Sequence, residues 1–152
     1  MLREKFKEAL KDAMKARNER ATATLRLIQA ALKDRDIAAR SRGKMDGVDE
    51  AEILAMLQTM VKQRRDSIQH FEQGGRLELA QQEQEEIAII ESFLPKQMSE
   101  AEAEKAIKDL IAEIGAASIK DMGRTMAALR ERYAGRMDFG KAGAVVKQAL
   151  AK

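Results

Sequence analysis

The stretch Leu94-Pro95-Lys96-Gln97-Met98-Ser99-Glu100-Ala101-Glu102 decides how this chain is organised. Pro95 is the only proline in 152 residues. It has no amide hydrogen and its ring collides with the preceding turn, so a helix that reaches it must end. Ser99 then stands three residues before Glu102, the spacing of a capping box in which each side chain satisfies the other's backbone at the start of a new helix. One helical segment stops and another begins. The break divides the chain into residues 1–95 and 96–152.

Upstream of the break the apolar residues recur at helical spacing. Leu2, Phe6, Leu10 and Met14 predict a first helix to about Lys15. Leu25, Ile28, Leu32 and Ala39 predict a second from about Glu19 to Arg40, with Arg26, Lys33 and Arg40 repeating every seven residues along one flank. Ser41 to Val48 reads as a loop. Asp49 with Glu52 opens a third helix. It carries Ile53, Leu57, Met60, Val61, Arg64, Ile68 and Phe71 on one face and stops at Gly74-Gly75. A fourth is expected over about Leu77 to Leu94. Downstream, the capping box at Ser99 opens a fifth helix, which stops at Gly115. Ser118 with Asp121 caps a sixth, and Asp138 caps a seventh. The expected fold is therefore all-α: a four-helix bundle-like part over 1–95 followed by a small three-helix domain over 96–152.

Composition narrows the function. There is no Cys, which excludes disulfides, thiolate metal sites and a Cys nucleophile. Apolar runs such as Ile87 to Ile90 are too short to span a membrane. The segment Met1-Leu2-Arg3-Glu4-Lys5 lacks the apolar stretch of a signal peptide, so a cytoplasmic protein is expected. Residues 1–42 hold 12 basic and 6 acidic side chains, residues 43–97 hold 6 and 11, and residues 98–152 hold 10 and 8. A basic beginning, an acidic middle and a mildly basic end permit a nucleic-acid partner without demanding one.

Catalytic and metal patterns are missing. His70 is the only His, and Ser67 occupies the position where a bundle-type metal site would need Glu. Neither a phosphate-binding glycine loop nor a nucleophile elbow is present. Glu83, Glu85 and Glu86, and likewise Asp34 and Asp36, lie in polar stretches and are expected to be solvated. The Met56, Met60 and Met122, Met126 pairs are expected in the core. No catalytic residue, metal or cofactor is expected. The basic residues Lys120, Arg124, Arg136, Lys141 and Lys147 suggest a phosphate-binding surface in the last three helices. With only Tyr133 and Phe139 available for stacking there, contact with the backbone of a folded RNA is the expected mode.

Several stretches carry a resemblance. Thr24-Leu25-Arg26-Leu27-Ile28, Lys62-Gln63-Arg64-Arg65-Asp66-Ser67-Ile68, Phe71-Glu72-Gln73-Gly74-Gly75-Arg76, Glu91-Ser92-Phe93-Leu94-Pro95, Lys120-Asp121-Met122-Gly123-Arg124 and Gly135-Arg136-Met137-Asp138 resemble the GatB/YqeY-like family in order and spacing over nearly the whole chain. The chain is similar to a stand-alone YqeY-like protein. The resemblance implies a C-terminal three-helix domain similar to the tail of the B subunit of the tRNA-dependent Asp/Glu amidotransferase, which helps hold misacylated tRNA. The shared pattern is Met122-Gly123-Arg124, then Gly135, then a closing helix with Lys141, Val145 and Lys147. The family label it brings is carbon–nitrogen ligase activity with glutamine as amido-N-donor. The similarity covers only the tail, without the portion that would bind ATP or the subunit that releases ammonia, so the expectation is a noncatalytic accessory module associated with tRNA or another structured RNA. The alternative is an adaptor that docks a partner protein through its helical faces.

Overall fold

The computed structural model describes residues 1–151. Among them there is no strand. Seven α-helices follow one another: α1 (Leu2–Lys15), α2 (Glu19–Arg40), α3 (Glu50–Gln73), α4 (Leu77–Glu91), α5 (Glu100–Ile114), α6 (Met122–Tyr133) and α7 (Phe139–Leu150). The all-α expectation is met. The chain divides into two compact units, Met1–Leu94 and a second that begins at Pro95.

Local chemistry sets most helix ends. Asn18 accepts from the Ala21 amide at the start of α2. Asp49 accepts from the Glu52 amide at 2.9 Å while Glu52 reaches back, and Ser99 and Glu102 repeat this arrangement at α5. Gly115 closes α5 in the left-handed region at φ +67°. Two ends differ from expectation. First, α4 stops at Glu91 instead of Leu94, and the Phe93 and Leu94 amides donate three residues back to Ile90 and Glu91. The residue before a proline is driven out of the helical region, so the last turn tightens and the chain leaves. Second, the Ser118–Asp121 box caps a 3-10 turn at Ile119–Asp121, and α6 begins only after it.

In the first unit α1 packs on α2, and α4 packs on both α3 and α2. Its core joins Leu2 and Phe6 of α1, Leu25, Ile28 and Leu32 of α2, Ile53, Met56 and Leu57 of α3, and Ile87 and Ile90 of α4. Phe6 meets Phe93 edge-to-face, with ring centres 4.9 Å apart. In the second unit Ile107 and Leu110, Met126 and Leu129, and Ala142, Val146 and Leu150 form a separate core from three helices. Met56, Met60 and Met126 are buried as expected. The segment after Pro95 is stitched to the α6–α7 loop: the Met98 amide donates to the Arg136 carbonyl at 2.9 Å, and Arg136 Nε donates to the Lys96 carbonyl at 3.1 Å.

One loop is tied down by charge. Arg3 forms a paired hydrogen bond to Asp36, at 2.7 and 2.8 Å, and donates to the Val48 carbonyl at 2.9 Å. Asp36 also accepts from the Val48 amide. Asp36 was expected in solvent, but it clamps α1, α2 and the 41–49 loop. Gly47 sits against this clamp at φ +90°, and a Cβ there would lie 2.8 Å from Asp36 Cγ. Only glycine serves both demands. The Arg3 hydrogen bond holds the Asp36 carboxyl down at about 2. A carboxylate with a depressed folded pKa contributes its full stability above its unfolded value, near 3.8, and loses it as pH falls toward 2. Discounted for partial exposure, the clamp contributes about 1–2 kcal/mol. Urea titrations at pH 7 and pH 3 should therefore show Asp36→Asn costing about that much at pH 7 and clearly less at pH 3. An equal cost at both would remove the ion pair from the explanation.

Candidate functional site

The five basic residues singled out from sequence do not gather at one point. Arg124 Nε pairs with Asp121 at 3.0 Å, and its two terminal nitrogens donate to the carbonyls of Ile114 and Gly115 at 2.9 and 3.4 Å. These carbonyls at the end of α5 would otherwise lack partners. Arg124 is thus committed to joining α5 to α6. Asp121 in turn accepts from the Ala117 amide, from Arg124 and from the Ser118 amide, and these bonds hold its carboxyl below the usual range.

Arg136 is half-buried, with its guanidinium 5.9 Å from the centre of the Tyr133 ring. Together with its bond to Lys96, this places it near the start of α5. Lys141 lies at the same end, 3.9 Å from an exposed Glu100. Lys120 and Lys147 are exposed and form no ion pair among the described residues. Lys120 and Arg124 therefore stand by the C-terminal end of α5, and Arg136 and Lys141 by its N-terminal end. The 15 residues between span roughly 22 Å. Arg130, over the Phe139 ring, and an Arg132–Glu113 pair at 2.6 and 2.8 Å occupy other parts of this unit. Neither aromatic ring is fully open for base stacking.

The first unit holds a charged cluster that sequence reasoning placed in solvent. Glu86 is only 7% exposed, and Glu83 is partly buried. Arg64 of α3 lies between them, with Nη2 3.4 Å from Glu86 and Nε 4.0 Å from Glu83, while Nη1 donates to the Met60 carbonyl. Its Nε is buried without a hydrogen-bond partner. The expectation of solvated acids is corrected for these two. They precede Ile87 and Ile90 by helical spacing and so face α3. The signal that could have found them is Arg64 itself, a cation on the apolar face of α3 that required a partner. Burial, together with the neighbouring Glu86 charge, raises the Glu83 pKa despite Arg64. Glu85, one position round the helix, stays at the surface and pairs with Arg20 at 3.2 Å. Among the described residues no three His, Asp or Glu side chains come together as a metal set. No helix there is long and apolar enough to cross a membrane.

The chain belongs to the Yqey-like protein family, which matches residues 3–150. It is similar to the "Altered inheritance of mitochondria protein 41, mitochondrial" of Lachancea thermotolerans, with 30% identity over 111 residues, 72% of this chain and 57% of that protein. The protein of the same name from Vanderwaltozyma polyspora is 27% identical over 123 residues, 77% of this chain and 64% of that one. An uncharacterized protein of Schizosaccharomyces pombe is 26% identical over 94 residues, 62% of this chain and 72% of that protein. The matches thus span less than two thirds of the first two relatives' own lengths.

Two outcomes follow for variants. Glu86→Ala leaves a buried guanidinium with weakened compensation and should cost about 3 kcal/mol by urea unfolding. Arg64→Met combined with Glu86→Leu removes both charges and should cost clearly less than the single change. Separately, Arg124→Ala should lower the melting temperature while Lys120→Ala leaves it unchanged; equal effects would contradict the capping role.

Proposed function

We propose that this Yqey-like protein is a noncatalytic accessory module that associates with structured RNA, tRNA first among candidates, through its C-terminal unit. The observation that carries the reading is the pair of exposed cations Lys120 and Lys147, which form no ion pair among the described residues, with Lys141 only loosely held by an exposed carboxylate. Basic groups at both ends of α5 suit an extended polyanion better than a single phosphate, because RNA presents a charge at every nucleotide along its backbone. The half-buried rings of Tyr133 and Phe139 favour backbone contact over base stacking. The resemblance of this unit to the amidotransferase B-subunit tail supports the same direction. Absence of a nucleophile–base pair or phosphate loop in the sequence favours an accessory role over catalysis of amide transfer. A cytoplasmic location goes with this reading, while the yeast relatives carry "mitochondrial" in their own names.

The deciding experiment is equilibrium binding to bulk tRNA at two salt concentrations, with duplex DNA of equal charge as competitor. Binding should weaken steeply with salt, prefer tRNA, and fall in Lys120→Glu with Lys147→Glu. Arg124 is avoided in this test because its loss would disturb the fold. No binding, or equal competition by DNA, would reject the proposal.

A further inference from the structure

Arg64 faces two carboxylates and makes a short contact with neither. Its side chain is 14% exposed, against 9% for Glu86 and 22% for Glu83. Nη1 donates to the Met60 carbonyl at 3.2 Å, Nη2 donates to Glu86 at a long 3.4 Å, and Nε is buried without a hydrogen-bond partner. Glu83 lies 4.0 Å from that Nε, at the outer edge of an ion pair, and no hydrogen bond joins the two. Glu83 and Glu86 stand three residues apart on α4, a spacing that puts them on one face, where like charges repel.

Among the described residues no further cation makes up the difference. Both α3 and α2 pack on α4. From α3, the exposed Arg65 goes to Glu91 at 3.9 Å, and from α2, Arg20 pairs with Glu85 at 3.2 Å. The charges that act on Glu83 are Glu86 and Arg64, and burial works in the same sense as Glu86. One cation thus stands against two anions in a partly desolvated seam. Such a seam sheds the excess by swinging a carboxylate out to water or by binding a proton. Glu83 is the group for both, because it is the more exposed of the two acids and receives no hydrogen bond from Arg64.

We propose that Glu83 is a proton-operated latch on the α3–α4 seam: charged in neutral surroundings it lets the seam open more often, and uncharged in mildly acidic ones it lets the seam close. Burial and the Glu86 charge raise the Glu83 pKa above its ordinary 4.5, with Arg64 opposing. A carboxyl raised in the folded state weakens the fold in full above that raised value, and the penalty is gone below the unfolded one. The first unit therefore gains stability as pH falls through mild acid toward 4.5. Asp36, held down at about 2 by Arg3, and Glu52, held down by Lys44, work in the opposite sense. Their contributions are lost only as pH falls below the ordinary values of 3.8 and 4.5. The latch acts above that range and those two act below it. It concerns the first unit alone and stands apart from the RNA reading of the C-terminal unit.

The test uses the full chain. Amide hydrogen exchange of α3 and α4 peptides is followed by mass spectrometry at pH 7.5, 6.0 and 4.5 and corrected for the intrinsic effect of pH on exchange. Protection of these two helices in the unaltered protein should rise as pH falls, beyond any trend in the peptides of α5 to α7. Glu83→Gln removes the charge and keeps the shape. It should protect α3 and α4 roughly threefold or more better than the unaltered protein at pH 7.5, and no better at pH 4.5. Glu85→Gln, at the surface beside it, should give no such gain. In the unaltered protein the carboxyl carbon of Glu83 should titrate above 4.5 by NMR, which keeps the test open if a variant folds poorly. Weaker protection in Glu83→Gln at pH 7.5 would overturn the proposal, because it would make the carboxylate a counter-ion that Arg64 needs. So would protection of α3 and α4 that is flat with pH, or a Glu83 carboxyl that titrates at or below its ordinary value. An equal gain in Glu85→Gln would equally overturn it, by reducing the effect to the net charge of α4.

Discussion

The guanidinium of Arg64 is held between α3 and α4 against the buried Glu86 and the partly buried Glu83, at 3.4 and 4.0 Å. A cation on the apolar face of a helix forces its neighbour to bring carboxylates inward. It thereby selects the rotation of α4 that also buries Ile87 and Ile90. Burial raises the Glu83 pKa, the neighbouring Glu86 charge adds to the rise, and Arg64 opposes both. The cluster restricts the alternatives open to a simple apolar seam, which would tolerate several rotations of α4 about its axis.

The helices packed on α2 decide what it leaves outside. With α1, α4 and α3 packed on α2, its buried residues are Thr24, Leu25, Ile28, Leu32 and Ala39. Leu27 and Ile37 are not among them and remain at the surface. The Arg3–Asp36 clamp then ties the end of α2 and its loop to α1, so the exposed face is presented on an element anchored near both ends, by Arg20 with Glu85 and by Asp36 with Arg3.

In the second unit the charges divide between architecture and surface. Arg124 and Arg132 serve the packing of α6 on α5, and Arg136 secures the segment that follows Pro95. Among the described residues Lys120 and Lys147 do not enter such contacts. Arg and Lys separate here by chemistry: a planar guanidinium makes several fixed hydrogen bonds at once, whereas an ammonium on a flexible stem stays hydrated. Counting basic residues in the sequence could not make that separation, because it depends on which carbonyls and carboxylates come within reach.

Helix type and most helix limits were legible in the residues, since capping is local. Asp49 with Glu52, Ser99 with Glu102, and Gly115 act on backbone groups three or four positions away and need no distant partner. The family, too, was legible from the spaced stretches around Leu25, Ser67 and Met122. The fate of individual charges was not. Glu86 and Asp36 read as solvated because their own neighbours in sequence are polar, and each is drawn in by an arginine on another helix, 22 and 33 residues away. Arg124 read as a surface cation until α5 placed two unpaired carbonyls beside it. Periodicity determined which residues share a helical face, while only the packing of one helix on another decided which side chains of α2 are covered. Burial is a property of the surroundings and not of the segment.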